Sequence, residues 1–220
     1  MELPPGQRAR EDFPRFGLPR FALRIPHETS RVEMMVSAGA QQFAITNDDL
    51  AALPRVTQVS DFHCVTTWSC LGLEWSGFRF REFFDKFISE HTSEGFTFFG
   101  SQDGFRARLL TEDLFADDVM LADRLNGEPL SVAHGAPLRL IAPAHYGYKN
   151  PKHLNQIEFG MEASKFRGQT PGFMEHPRAR VALEERGSFI PGRILRVIYR
   201  PMVGSSVKKF QRAMQRHLSQ

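Results

Sequence analysis

Only two cysteines, Cys64 and Cys70, occur in the 220 residues. Two thiols cannot build the disulfide framework that holds small secreted scaffolds together, so any weight Cys64 carries lies in its sulfur chemistry or its size. Neither Cys-x-x-Cys nor the spaced Cys and His pairs of an ordinary structural zinc site is present, although Asp61, His63, Cys64 and Cys70 leave a zinc set conceivable on residue type alone. The missing Cys-x-x-Cys-His excludes covalently attached haem, and no flavin or other haem signature is visible. No run of about 18 uncharged apolar residues exists, which argues against a spanning helix. The first twenty residues carry charge and proline but no apolar stretch, so no cleavable signal is read and a cytoplasmic chain with reduced thiols is expected. A mature form whose leader had been removed would read the same.

What is present is ordinary in amount and uneven in placement. A hydrophobic fraction of 41% with 24% charged residues belongs to a globular protein, and 25.1 kDa is enough to bury a sizeable core. The 20 phenylalanines point to an aromatic-rich interior. The net charge of +3 hides an asymmetry: from Arg167 onward 11 Lys and Arg face three acids, a balance of +8, whereas the preceding residues carry 17 against 22. The simplest reading is a basic tail packed on an acidic body; docking to an acidic redox partner or an anionic lipid surface is the next, and nucleic acid is poorly supported without a motif.

Along the chain, Met1 to Pro19 reads as an extended arm rich in Pro, Gly and charge. Arg31 to Ala38 and Gln41 to Ile45 flank Gly39-Ala40 as a hairpin, and Thr46 or Asn47 caps a short helix running to Leu53. Val56 to Val65 reads as a strand that delivers Cys64 at its end, with a loop from Thr66 to Gly77. Phe80, Phe83, Phe84 and Phe87 fall on one helical face, a core stripe. Phe96 to Gly100 and Phe105 to Leu109 form a hairpin about Ser101-Gln102-Asp103-Gly104; Thr111 caps a further short helix, and Val119 to Leu125 runs into the turn dipeptide Asn126-Gly127. Leu138 to Ala142 and Leu154 to Phe159 are two more strands bracketing a Gly/Pro/Tyr/Lys loop. Ser205 or Ser206 caps a last helix with Val207, Phe210, Met214 and Leu218 on one side and Lys208, Lys209, Arg212 and Arg216 on the other. Short strands interleaved with short helices, without a βαβ repeat, give an α+β fold class.

Two stretches carry the chemistry. Asp61-Phe62-His63-Cys64-Val65-Thr66-Thr67-Trp68-Ser69 places a cysteine at a strand end, and Gly135-Ala136-Pro137-Leu138-Arg139-Leu140-Ile141-Ala142-Pro143 leads through Tyr146-Gly147-Tyr148-Lys149-Asn150-Pro151-Lys152-His153. Together they resemble the sulfite oxidase superfamily of molybdopterin enzymes, over roughly Phe13 to Phe166, and within it the short prokaryotic branch that includes the catalytic subunit of periplasmic methionine sulfoxide reductase.

The resemblance implies a mixed-sheet molybdopterin-binding oxidoreductase domain over residues 1–166 and a basic extension over 167–220. That extension is too short and too poor in strand signals for the immunoglobulin-like dimerisation domain of larger members. It implies that Cys64 is the single protein ligand to molybdenum and that the pterin contacts fall at His134, Arg139, Asn150 and Lys152, with a further hydroxyl near Ser101. His134 stands where relatives often carry asparagine. Oxygen-atom transfer to or from a small S- or N-oxide or sulfite-like substrate follows, with electrons exchanged with a separate partner that could dock on the basic extension. In the family, sulfite oxidation uses arginines just after the cysteine, and Val65-Thr66-Thr67-Trp68-Ser69 holds none, which puts a neutral sulfoxide or another S- or N-oxide at least level with sulfite. Read without the resemblance, Cys64 is a buried small hydrophobe or a thiol nucleophile, Cys70 is structural, Lys149 is a solvated loop residue, and the chain could be a binding module without activity.

Overall fold

A computed structural model describes residues 3–26, 29–88, 95–169 and 172–219; the first two residues of the expected arm lie outside them. In chain order the elements are β1 (Arg8–Arg10), β2 (Glu33–Ala38), β3 (Gln41–Thr46), α1 (Asn47–Ala51), β4 (Arg55–His63), β5 (Trp68–Arg79), α2 (Phe80–Phe87), β6 (Phe96–Ser101), β7 (Arg106–Leu110), β8 (Met120–Leu125), β9 (Glu128–Pro129), β10 (Arg139–Ile141), β11 (Leu154–Met161), α3 (Gly192–Tyr199) and α4 (Met202–Leu218). Two mixed sheets and a few short helices make this an α+β fold.

The first sheet is organised around β5. One edge pairs with β4 along most of its length; the other takes β1 in parallel at Trp68 to Cys70 and β8 antiparallel at Trp75 to Arg79, and β8 continues to β10. Where β5 and β8 meet, Gly77 has no substitute: a Cβ there would lie 2.1 Å from the Leu121 carbonyl oxygen. The second sheet runs β3-β2-β11-β6-β7, with β2 and β11 parallel and the other pairs antiparallel.

The main core lies where Met34 and Val36 of β2, Phe99 of β6, Ile157 and Phe159 of β11 and Leu121 of β8 converge. The alternation along β2 buries every second side chain, as a half-exposed strand requires. Helix α2 buries Phe80, Phe83 and Phe84 against this core, and Phe87 packs partly on it.

Three expectations are overturned. The stretch from Thr66 to Gly77 is a strand from Trp68 onward, because pairing with β1, β4 and β8 satisfies a backbone whose Ser, Gly and Glu residues read locally as loop. Gly72, at φ +65°, marks the irregularity there, and its amide donates to Asp61 Oδ1 (2.9 Å). Helix α4 starts at Met202 rather than at a serine cap, with Ser206 buried inside it and Leu218 79% exposed, so its packed face is Ser206, Val207, Phe210 and Ala213. Thr111 does not cap a helix but opens a single 3₁₀ turn (Thr111–Phe115), its hydroxyl 3.0 Å from that of Thr97. Helix α3, which follows Pro191, carries no signal that the sequence reading used.

Candidate active site

Strand β4 ends at His63, and Cys64 opens the tight turn that returns the chain as β5. The Cys64 amide donates to the Trp68 carbonyl (2.8 Å) and the Thr67 amide to the Cys64 carbonyl (3.1 Å), leaving Thr67 left-handed at φ +82°, a strained conformation for a β-branched residue. Two distant segments hold the turn. From the arm, Gln7 Nε2 donates to the Cys64 carbonyl (3.1 Å), and Ser69 Oγ donates to Gln7 Oε1 (3.1 Å). From the C-terminal extension, the fully buried Arg186 donates to the carbonyls of Val65 (2.5 Å) and Pro5 (3.0 Å) and to Glu184 Oε1 (3.2 Å).

Cys64 itself is 7% exposed, with Sγ 3.1 Å from Thr66 Oγ1. Burial pushes its thiol up, against smaller downward pulls from Thr66 and Arg186. The adjacent His63 turns Nδ1 to Ser69 Oγ (2.8 Å). A protonated, buried thiol without a base is badly made for nucleophilic attack, whereas a soft metal takes the place of the proton and keeps the sulfur as thiolate. Among the described residues no group of three or more His, Cys, Asp and Glu is placed to hold a metal, so the Asp61, His63, Cys64 and Cys70 zinc set is not assembled.

Cys64 opens onto a cleft whose wall also carries Phe16, Phe62, Trp68, Asn150 and Lys152. Beside that cleft sits a cluster of cations. Arg139, on β10, is 1% exposed; it donates to the carbonyls of His134 (2.8 Å) and Asn150 (3.5 Å), and its guanidinium lies 4.9 Å from the Trp75 ring centre. Burial pushes its pKa down to about 9. Lys152 Nζ donates to the Ala133 carbonyl (3.3 Å), and its pKa is pushed down to about 7, by burial first and then by Arg139 and Arg15. Arg15, from the arm, is spent on the carbonyls of Phe21, Ala22 and Arg24. Gly135 lets the segments close: at φ +113°, a Cβ would lie 3.0 Å from Lys152 Cβ and 3.1 Å from Arg139 Cβ.

The cluster is incomplete without a ligand. Among the described residues neither Arg139 nor Lys152 has an ion-pair partner, and Asp103, which both Lys152 and Arg15 draw down, is pushed up overall by burial. Arg15 Nε, Arg139 Nε, Ser101 Oγ, His153 Nε2 and Trp68 Nε1 are buried without a hydrogen-bond partner among the described residues. Buried polar groups are ordinarily paired, so unpaired cations and orphaned polar atoms together fit an anionic group with many hydrogen-bonding atoms.

The expected site residues divide accordingly. Cys64, Asn150 and Lys152 line the cleft; His134 and Arg139 are joined to it through backbone contacts. Ser101 ends β6 opposite Leu154, beside the buried His153. The Asn150 amide shapes the loop instead of facing outward: Oδ1 accepts the Ala142 amide (2.6 Å) and Nδ2 donates to the His145 carbonyl (3.3 Å). The His134 ring stacks on Phe13 at 4.6 Å, and burial with two neighbouring cations pushes its pKa down to about 4.

Lys149 is not solvated as expected. It is 1% exposed on the cleft wall, donates to the Arg108 carbonyl (2.7 Å), and burial pushes its pKa down to about 7. Arg15 and Arg186 were not singled out for the site, because nothing in their sequence surroundings separates them from surface arginines.

A pair of sheets that brings one buried thiol to an aromatic cleft beside buried cations without ion-pair partners among the described residues fits the binding of an anionic cofactor. The family model for the oxidoreductase molybdopterin binding domain matches residues 22–167, and the chain belongs to that family. It is 35% identical over 128 residues to the uncharacterized oxidoreductase YuiH of Bacillus subtilis, covering 58% of this chain and 61% of the relative. It is 29% identical over 137 residues to the protein-methionine-sulfoxide reductase catalytic subunit MsrP of Campylobacter jejuni, covering 55% and 46%. The chain thus spans about half the length of the curated relatives it matches. In fold it is similar to the sulfane dehydrogenase SoxCD of Paracoccus pantotrophus, with a TM-score of 0.54 at 20% identity over 68% of this chain and 44% of the other. The cofactor class is therefore molybdopterin, and the chain is an oxidoreductase domain of the sulfite oxidase type.

Proposed function

We propose that this domain catalyses oxygen-atom transfer, reducing a small neutral S-oxide, and that Cys64 is the protein ligand to its molybdenum. The observation that carries the reading is the Cys64 thiol, buried at a strand end yet opening onto the cleft. When bound, the molybdenum cofactor supplies two-electron oxygen-atom chemistry, and the protein supplies position and electrostatics.

The roles left to the chain follow from its side chains. Arg139 and Lys152 are the cations for the cofactor's phosphate, Arg139 as a rigid fork and Lys152 as a point charge. Ser101 Oγ and His153 Nε2 offer hydrogen bonds that the protein leaves unused. Gln7 and Arg186 hold the turn on which Cys64 sits, so that its sulfur stays in place. Phe16, Phe62 and Trp68 exclude water and give an apolar substituent a surface to lie on. No cation follows Cys64 before Ser69, so a neutral oxide is better served than sulfite. The similarity to relatives named for methionine sulfoxide supports the same direction. Electrons are taken to reach the site from a separate protein, a reading supported by the similarity to relatives named as the catalytic subunit of a reductase.

Protein expressed in a host that makes molybdopterin, as wild type and Cys64→Ser, tests this. Near-stoichiometric molybdenum, sulfoxide reduction with a reduced dye as donor, and an altered paramagnetic spectrum in Cys64→Ser are expected. Well-folded wild type without molybdenum or pterin would overturn the reading and leave a binding module. Molybdenum with sulfite oxidation but no sulfoxide reduction would overturn the substrate class alone.

A further inference from the structure

The last part of the chain is built the wrong way round for a segment that only packs on its own domain. Helix α3 buries Leu195 and Tyr199 and turns Ile194 (48% exposed), Val197 (67%) and Ile198 (52%) to solvent. Spacings of three and four put those aliphatics on one stripe. Phe189, just before the helix, is 81% exposed, and Met202, four residues after Ile198, is 46% exposed. Of the twelve large apolar side chains exposed among the described residues, six lie between Phe189 and Leu218.

The charge of the same segment has one sign. From Arg186 to the end there are eight Lys or Arg and no Asp or Glu. Arg186 and Arg196 are taken by Glu184. Arg193 on α3 and Lys208, Lys209, Arg212 and Arg216 on α4 are exposed, while α4 is anchored by Phe210 and Val207 beneath them.

We propose that α3 and α4 form a peripheral membrane-binding surface for bilayers containing anionic phospholipid. Exposed aliphatic and aromatic side chains enter the boundary between headgroups and acyl chains, and the exposed cations of the same segment meet the lipid phosphates. No helix among the described residues is long and apolar enough to cross a membrane, so the contact is with the surface. A second copy of this chain is disfavoured as the occupant, because self-pairing would bring like charges together without an acid in the segment to relieve them.

The test is flotation of the cofactor-loaded full chain with phosphatidylcholine vesicles, with and without about one quarter phosphatidylglycerol. Binding is expected only with the anionic lipid, falling as salt rises. Ile194→Ser, Val197→Ser and Ile198→Ser combined should weaken it about tenfold or more. Lys208→Glu, Lys209→Glu, Arg212→Glu and Arg216→Glu combined should abolish it. All these side chains are exposed, and unchanged melting of the variants keeps the comparison valid. No binding to anionic vesicles overturns the proposal, whether the chain then proves to dimerise or to bind an acidic protein. Binding unaltered by the serine substitutions overturns it too, because the stripe would then have no part.

Discussion

Arg139 carries two opposite effects at one position. Without an anion its burial is costly, since among the described residues its hydrogen bonds go to backbone carbonyls and the neighbouring Lys152 is of like charge; with the cofactor's phosphate the same burial makes the attraction strong. Arg139→Met should therefore leave the cofactor-free protein within about 1 kcal/mol of wild type or above it, and cost the loaded protein on the order of 2–4 kcal/mol. Thermal melts of both forms, with pterin content, check the pair of signs; equal losses in both forms would refute it.

The histidines give a pH dependence at the same scale. His134 and His153 are held down to about 4 and about 3, by burial first, against a starting value of 6.5. Between those values and 6.5 the unfolded chain binds more protons, so stability is present above about 6.5 and is lost as the pH falls toward 4. The cofactor-free protein should lose on the order of 1–3 kcal/mol over that window, measured by denaturant titration. His153→Gln should flatten the dependence.

At the scale of elements, much was legible. The phenylalanine spacing of α2, the hairpin around Ser101 to Gly104 and the Asn126-Gly127 turn are local signals, and the chain obeys them. β5 was not, because a strand that owes its ladder to β1, β4 and β8 need carry no pattern of its own. Gly77 is where those pairings press hardest. Gly77→Ala should destabilise the fold by about 3 kcal/mol or more, since the contact is with the Leu121 backbone and cannot be relieved by turning a side chain. A loss below about 1 kcal/mol in denaturant titration would show that β5 and β8 separate easily.

For the molecule as a whole, Arg186 ties three parts together: the arm at Pro5, the turn after Cys64 at Val65, and the extension at Glu184. Its removal leaves the Pro5 and Val65 carbonyls without this donor and Glu184 with Arg196 alone. Arg186→Met should cost about 3–5 kcal/mol and lower molybdenum content with it. Arg186→Lys should recover only part, because one ammonium cannot replace a fork that reaches three acceptors. Unfolding curves and metal analysis of the two variants check this. Full recovery by lysine would mean that charge alone, without the fork, secures the turn.

The sequence by itself determined the α+β class, the strand that stops just before Cys64 and, through resemblance, the molybdopterin-binding family, because each is written in residue types at short separation. Tertiary structure alone decided that β5 is a strand, that Lys149 is buried, that Asn150 spends its amide on its own loop, and that Arg15 and Arg186 reach the site. The physical reason is distance along the chain. Arg186 meets Val65 across 121 residues, and no local pattern can announce a contact that exists only once both sheets have closed.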